Sequence, residues 1–359
     1  MSNPYLETQQ ILQAQSAALA EAIVERQYAR QADFWKRFGE AGRTKAVRDQ
    51  VYHLAYLTEA VAAVDPTLFV EYVAWAKGLF AGLGFPEAAL LEALQCTVEV
   101  LQEEGAPELQ TACDYVTQAI HSLPQTPAAP ESFLQANQPL GSLADSYLAA
   151  LLRGEHQAAG RLILEAVKAG TPVREIYLHV FQPVQREVGR LWQINRLSVA
   201  QEHYCTAATQ LVMSQLYPQI FSGERQGRRA VVTCVGGELH EIGARMVADF
   251  LEMGGWDTHF LGANTPRDSV IAMALERQAH VLAISVTMTF HVSQAAELIA
   301  GLRAADPERR IKVLVGGYPF NLAPNLWQRL GADGYAADAQ TALSAAQRLT
   351  SESAAETNL

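Results

Sequence analysis

The sequence predicts an α plus α/β chain, with helical segments first and a flavodoxin-like doubly wound domain after them. Three observations carry this reading. Residues 6–122 read as a run of helices. Residues 143–222 read as four more, joined by short loops that favour antiparallel neighbours. From 228 to 350, five short apolar runs alternate with helical stretches, the pattern of a parallel sheet wound by helices. The expected organisation is a helical domain over 1–122, a linker over 123–142, a four-helix bundle over 143–225, a Rossmann-like domain over 226–350 and a tail over 351–359.

The first helices are expected from Gln9 to Glu25 and from Thr44 to Val64. The second carries an apolar stripe through Val47, Val51, Leu54 and Leu57. Pro66–Leu83, Pro86–Glu103 and Pro107–Ile120 follow, each opening at a proline, which a first helical turn tolerates. Pro124, Pro127, Pro130 and Pro139 among Ala, Gln and Ser give the next stretch a linker composition. The bundle helices are predicted at 143–153, 155–168, 173–191 and 199–216, and the strands at 230–235, 257–261, 281–286, 311–315 and 334–336.

The 359 residues carry a formal net charge of -11, which argues against direct nucleic-acid binding. No apolar stretch is long enough to span a bilayer, and Met1-Ser2-Asn3-Pro4-Tyr5 lacks the regions of a signal peptide. Cys96, Cys113, Cys205 and Cys234 show no metal-type spacing and read as small core residues of a cytoplasmic protein.

One loop carries the chemistry. Gly236-Gly237-Glu238-Leu239-His240-Glu241-Ile242-Gly243 follows the first predicted strand and precedes a helix. In an open parallel sheet that is where ligands bind. The turn lacks the G-x-G-x-x-G of a dinucleotide site, and Ile284-Ser285-Val286-Thr287 lacks the Asp of a receiver domain. Glu238-x-His240-x-x-Gly243, then Ser285-Val286-Thr287, then Gly316-Gly317, resembles the cobalamin-binding domain of the base-off, His-on type. The resemblance implies that His240 is the lower axial cobalt ligand and that Glu238, in place of the family's Asp, holds its imidazole with Ser285 nearby. It also implies that Gly316 and Gly317 let backbone approach the nucleotide tail. Glu238 for Asp and Thr287 for Leu are departures from the family pattern.

In the bundle, Trp192 is followed after nine residues by Glu202-His203, and Ser198 with Gln201 forms a capping-box pattern. Spacing alone favours a core tryptophan and an exposed helix start at Glu202-His203. Beside a corrin-binding domain, the pattern resembles the cap of CarH-type photoreceptors. That resemblance implies Trp192 and Glu202 around the 5′-deoxyadenosyl group of adenosylcobalamin. Gln193 stands where those proteins have a second histidine, which leaves His203 or water for the upper site after photolysis.

The N-terminal stretch shows no basic DNA-binding element. Asp49, His53 and Tyr56 share a helix face, which geometry alone reads as bundle packing. The pattern Gly42-Arg43-Thr44-Lys45 with Tyr52-His53-Leu54-Ala55-Tyr56-Leu57 resembles the helical domain of photocobilins. That implies a noncovalent biliverdin, its propionates met by Arg43 and Lys45 and its pyrroles by Tyr52, His53 and Tyr56. The resulting expectation is a light sensor rather than an enzyme, a homo-oligomer that signals to a separate protein after adenosylcobalamin photolysis. Two rivals stay open: a corrinoid carrier protein of a methyltransferase, and a light-independent cobalamin sensor.

Overall fold

The computed structural model describes residues 4–127, 129–135, 137–221 and 224–356, without the side chains of 352–356. It divides into two compact units, Met1–Pro130 and Glu131–Leu359. The expected tail falls largely outside the described side chains.

The first unit contains five long helices: α1 (Pro4–Arg30), α2 (Gly39–Ala62), α3 (Thr67–Gly82), α4 (Glu87–Glu103) and α5 (Gln110–Ser122). Its core buries Leu12, Leu19, Ile23, Leu54, Leu57 and Phe69 completely or nearly so. α1 extends beyond both predicted ends, while α2 starts before its predicted start and stops two residues short of its predicted end. Gly39 opens α2 at φ +60°, and Gly42 lies close to its neighbour in the turn before: a Cβ there would lie 2.3 Å from the Cβ of Phe38.

The second unit begins with α6 (Gly141–Leu152) and α7 (His156–Lys168). A short helix Val173–Ile176 and a π turn Tyr177–Phe181 lead into α8 (Gln182–Gln193), and α9 (Val199–Gln215) closes the bundle. The predicted single helix over 173–191 is thus interrupted. The capping box at Ser198 and Gln201 forms as expected.

The sheet comprises β1 (Arg229–Cys234), β2 (Asp257–Gly262), β3 (Val281–Ser285), β4 (Lys312–Gly316) and β5 (Gly334–Ala336). Between and after them lie α10 (Ile242–Met253), α11 (Arg267–Glu276), α12 (Val292–Ala305) and α13 (Ala339–Glu356). All pairings are parallel, in the order β2-β1-β3-β4-β5. This is the flavodoxin-like order, whose switch point lies between β1 and β3. The register aligns Cys234, Ser285, Gly316 and Ala336 in one row, so the loops after β1, β3 and β4 leave the sheet side by side.

The bundle sits on α10. Met246 and Phe250 join the bundle core, Arg174 donates to Met253 O at 3.1 Å, and Tyr177 Oη donates to Asp249 Oδ2 at 2.7 Å. Burial pushes the Asp249 carboxyl up from 3.8 to about 6, against the Tyr177 hydrogen bond and a long contact with Arg245. A folded-state pKa raised above the unfolded one stabilises fully below about 3.8 and is lost as pH rises through about 6. Asp249→Asn should therefore change stability little near ~pH 4 and raise it by about 3 kcal/mol at ~pH 8, at ~1.4 kcal/mol per unit. Urea unfolding at the two pH values checks this.

Candidate functional site

The loop after β1 is built around a buried carboxylate. Glu238 is fully buried, and both of its oxygens are engaged. Oε1 accepts from the His240 backbone N–H at 3.0 Å and from His240 Nδ1 at 2.6 Å. Oε2 accepts from the N–H groups of Thr287 and Met288, each at 2.9 Å, and from His291 Nδ1 at 3.3 Å. Burial alone would raise the pKa of this group. The hydrogen bonds from His240, His291 and the Met288 N–H outweigh it and hold the carboxyl well below the usual range. It is therefore an anion at neutral pH, and the His240 proton belongs on Nδ1.

His240 is the exposed end of this arrangement, with 58% of its side chain open to solvent. The Glu238 hydrogen bond raises its pKa against partial desolvation, and the charge of Glu202 on α9 adds to the effect. With Nδ1 committed, Nε2 is the nitrogen free to bind a metal. Among the described residues no group of three or more His, Cys, Asp or Glu is placed to hold a metal ion. The loop itself offers a metal one imidazole nitrogen, Nε2 of His240.

Neighbouring segments fix the loop. Gly237 takes a left-handed φ of +75°. Its N–H donates to Asn264 Oδ1 at 2.8 Å, and the Asn264 N–H donates to Glu238 O at 3.1 Å. Glu241 accepts from Gln210 Nε2 of α9 at 2.7 Å and from the Ala263 N–H at 3.0 Å. The bundle thus reaches the loop one residue beyond His240.

On the bundle side, Trp192 is partly buried against the bundle core, and Gln193 is buried. Glu202 accepts from Thr206 Oγ1 at 3.0 Å and pairs with His203 Nδ1 at 2.6 Å. His203 is exposed. Thr209 is fully buried, bonded to Tyr147 at 3.1 Å and Gln185 at 2.8 Å. The face through Glu202, Thr206 and Thr209 therefore enters the bundle at one end, its hydroxyls satisfied internally, despite a polarity that speaks against a core stripe.

Gly316 and Gly317 have a reason within the fold itself. A Cβ on Gly316 would lie 2.8 Å from Ala336 O, and one on Gly317, at φ +108°, 1.9 Å from Val286 O. Ser285 ends β3 half-buried, and Thr287 contributes its backbone N–H to Glu238.

In the first unit, His53 and Tyr56 meet on α2 with Tyr72 of α3. Tyr72 Oη lies 2.7 Å from His53 Nδ1, and the Tyr56 and Tyr72 rings stack at 3.6 Å between centroids. Trp75 continues the stack at 6.1 Å and 20°. Burial lowers His53 to about 4, so its ring is neutral. Arg43 pairs with Glu21 of α1 at 3.5 Å, while Lys45 and Tyr52 are exposed.

Residues 228–344 and 143–217 each match a B12 binding domain family. Dimethylamine corrinoid protein 3 of Methanosarcina mazei is 31% identical over 116 residues, 32% of this chain and 68% of that protein. The chain belongs to the corrinoid protein family. Dimethylamine corrinoid protein 3 of Methanosarcina acetivorans is 29% identical to this corrinoid protein over 192 residues, 52% of the chain and 89% of that relative. The solved Methanosarcina barkeri monomethylamine corrinoid protein shares the fold, with a TM-score of 0.53 at 22% identity over 59% of this chain and 100% of that one. Residues 2–121 of this corrinoid protein match the phycobilisome protein family.

These relatives overturn one expectation. Light sensing through adenosylcobalamin photolysis is contradicted, because the relatives are corrinoid proteins named for dimethylamine. The cobalamin reading itself stands. Of the expected site residues, Glu238, His240 and Thr287 come together in one network, and Ser285 and Gly316 lie in one row beneath it. The sequence reading misses His291, Asn264, Gln210 and, in the first unit, Tyr72 and Trp75. Only Glu241 had a local signal, as the carboxylate directly after His240.

Proposed function

We propose that this corrinoid protein is a methyl-group carrier that serves a methyltransferase, and that it is not itself the enzyme. The observation that supports this most is the buried Glu238 with the exposed His240, set at the C-terminal edge of β1 beside the sheet's switch point. His240 would bind the cobalt from beneath through Nε2. Glu238 would fix the tautomer and raise the basicity of the ring. Trp192 and Glu202 would face the other side from the bundle, with His203 at its solvent edge. Ser285, Thr287, Gly316 and Gly317 would flank the nucleotide tail. Bound cobalamin supplies the metal that carries the methyl group.

The test is reconstitution. The protein loaded with cobalamin, reduced and mixed with a methylamine methyltransferase and its amine, should take up the methyl group, read from the absorbance of the corrin. Loading without methyl uptake from dimethylamine, monomethylamine or methanol would overturn the carrier reading. Parallel titrations with methylcobalamin and adenosylcobalamin decide which upper group the Trp192–Glu202 side accepts, and a carrier should prefer the first.

For the first unit we propose a noncovalently held bilin such as biliverdin. The match of residues 2–121 to phycobilisome proteins supports it, as does the cluster of Tyr56, Tyr72 and Trp75 beside His53, aromatic side chains of a kind that pack against pyrroles. Burial raises the thiols of Cys96, to about 11, and Cys113, so neither offers a thiolate for covalent attachment at neutral pH. Arg43 and Lys45 would meet the propionates, and Tyr52 would edge the site. Added biliverdin should give a red-shifted band that leaves the chain on denaturation, weakened by Tyr72→Ala. A protein that develops no such band carries no bilin.

A further inference from the structure

We infer that His291 is a positioning residue for the lower side of the corrinoid site, acting on His240 through Glu238. The inference rests on the reading of His240 as the metal-binding imidazole. It starts from a departure in the sequence: the carboxylate is Glu238, one methylene longer than the Asp of the resembled pattern.

The extra reach matters because the two oxygens face different segments. Oε1 stays with His240, while Oε2 reaches the loop after β3, where it meets the Thr287 and Met288 N–H groups and His291 Nδ1 instead of the Ser285 hydroxyl. His291 ends the short turn Thr289–His291 before α12 and is buried, with the Phe290 ring edge-on at 4.4 Å. It is a side chain brought to the carboxylate by the same segment that supplies the Thr287 and Met288 N–H groups.

The glycines of the loop fit the same arrangement. A Cβ on Gly237 would lie 3.2 Å from His291 Nε2, and one on Gly236 would lie 3.1 Å from Gln294 Oε1. The Gly-Gly pair thus leaves room for α12 side chains to close behind Glu238. Oε1 is held by His240 and Oε2 by the Thr287 and Met288 N–H groups, so His291 Nδ1 adds a side-chain donor on Oε2 and helps to fix the end of a flexible three-bond stem. At 3.3 Å the His291 bond is at the long end of the hydrogen-bond range and depends on the ring's placement.

Four variants test this: His291→Ala, His291→Asn, His291→Phe and His240→Ala. Each is titrated with aquocobalamin, and the Co(II) state is examined by EPR for the splitting that a coordinating nitrogen produces. Melting of the unloaded proteins checks folding. Loss of a partner that orients a metal ligand costs roughly 10- to 100-fold in affinity; His291 stands one step further out, and His291→Ala should weaken uptake by about 10-fold, the lower end of that range. It should also reduce the nitrogen-split fraction. His291→Asn, whose Nδ2 stands where the imidazole Nδ1 stood, should restore both. His291→Phe, which fills the space without a donor, should not. Wild-type affinity and splitting in His291→Ala, or equal rescue by Phe and Asn, would overturn the positioning role while leaving the site intact. Unchanged uptake and splitting in His240→Ala would overturn the site and the inference together.

Discussion

Replacing His240 with alanine should abolish the histidine-ligated form of bound cobalamin and weaken uptake by roughly 100-fold or more, beyond what loss of an outer partner costs. The geometry explains why neither neighbour in the network can substitute. Glu238, the nearest side chain, is buried with both oxygens occupied, and His291 faces its rear. The same dyad predicts a pH dependence. The Glu238 hydrogen bond raises His240 above its usual 6.5, so the proton competes with the metal until the pH exceeds that raised value. Binding near neutral pH should release protons, and the ligated fraction should fall as the pH drops through and below it. Glu238→Gln removes the cause of the shift and should move the midpoint of ligation to lower pH. A midpoint that stays in place would show that Glu238 does not set the basicity of the ring. Absorbance titrations at a series of pH values measure both effects.

The second large effect is expected at Gly317. A methyl group there would enter the van der Waals space of Val286 O, at 1.9 Å, in a backbone conformation with φ +108° that L side chains rarely adopt. Neither the rigid carbonyl nor the turn can yield cheaply. Gly317→Ala should cost about 3 kcal/mol or more, in the range reserved for strained backbone sites, and reduce the soluble yield. Gly316→Ala, with its closest approach 2.8 Å from Ala336 O, should cost less. If Gly317→Ala instead melted like the wild type and lost only cobalamin uptake, the glycine would serve the ligand rather than the fold.

The legible parts were those written locally. The five strands appear within about one residue of their predicted ends, because each is a short apolar run closed by a turn. The glycine-flanked His240 stands at the end of β1 for the same reason, and Glu238 two residues earlier shares its loop. Contacts made between distant segments were not legible. His291 reaches Glu238 across 53 positions of sequence, Gln210 reaches Glu241 across 31, and Tyr72 completes the His53–Tyr56 face from the next helix. No spacing rule links such positions. Gly316 and Gly317 were recognisable as glycines that matter, but the collisions that demand them are with Ala336 and Val286, which only the folded sheet brings near.

The π turn at Tyr177–Phe181 has a bearing on the azimuth of everything after it. Ile176, Val180, Val184, Val188 and Trp192 recur every fourth residue. In an uninterrupted α-helix, four residues overshoot one revolution by about 40°, and the row would wind off the bundle interior well before the tryptophan. The wider turn subtracts part of that drift at its first steps. It keeps Val184 and Val188 inward and leaves Gln185 in register with Thr209. Excising one residue from that turn should swing the indole away from its seat without altering the sequence of the loop after β1.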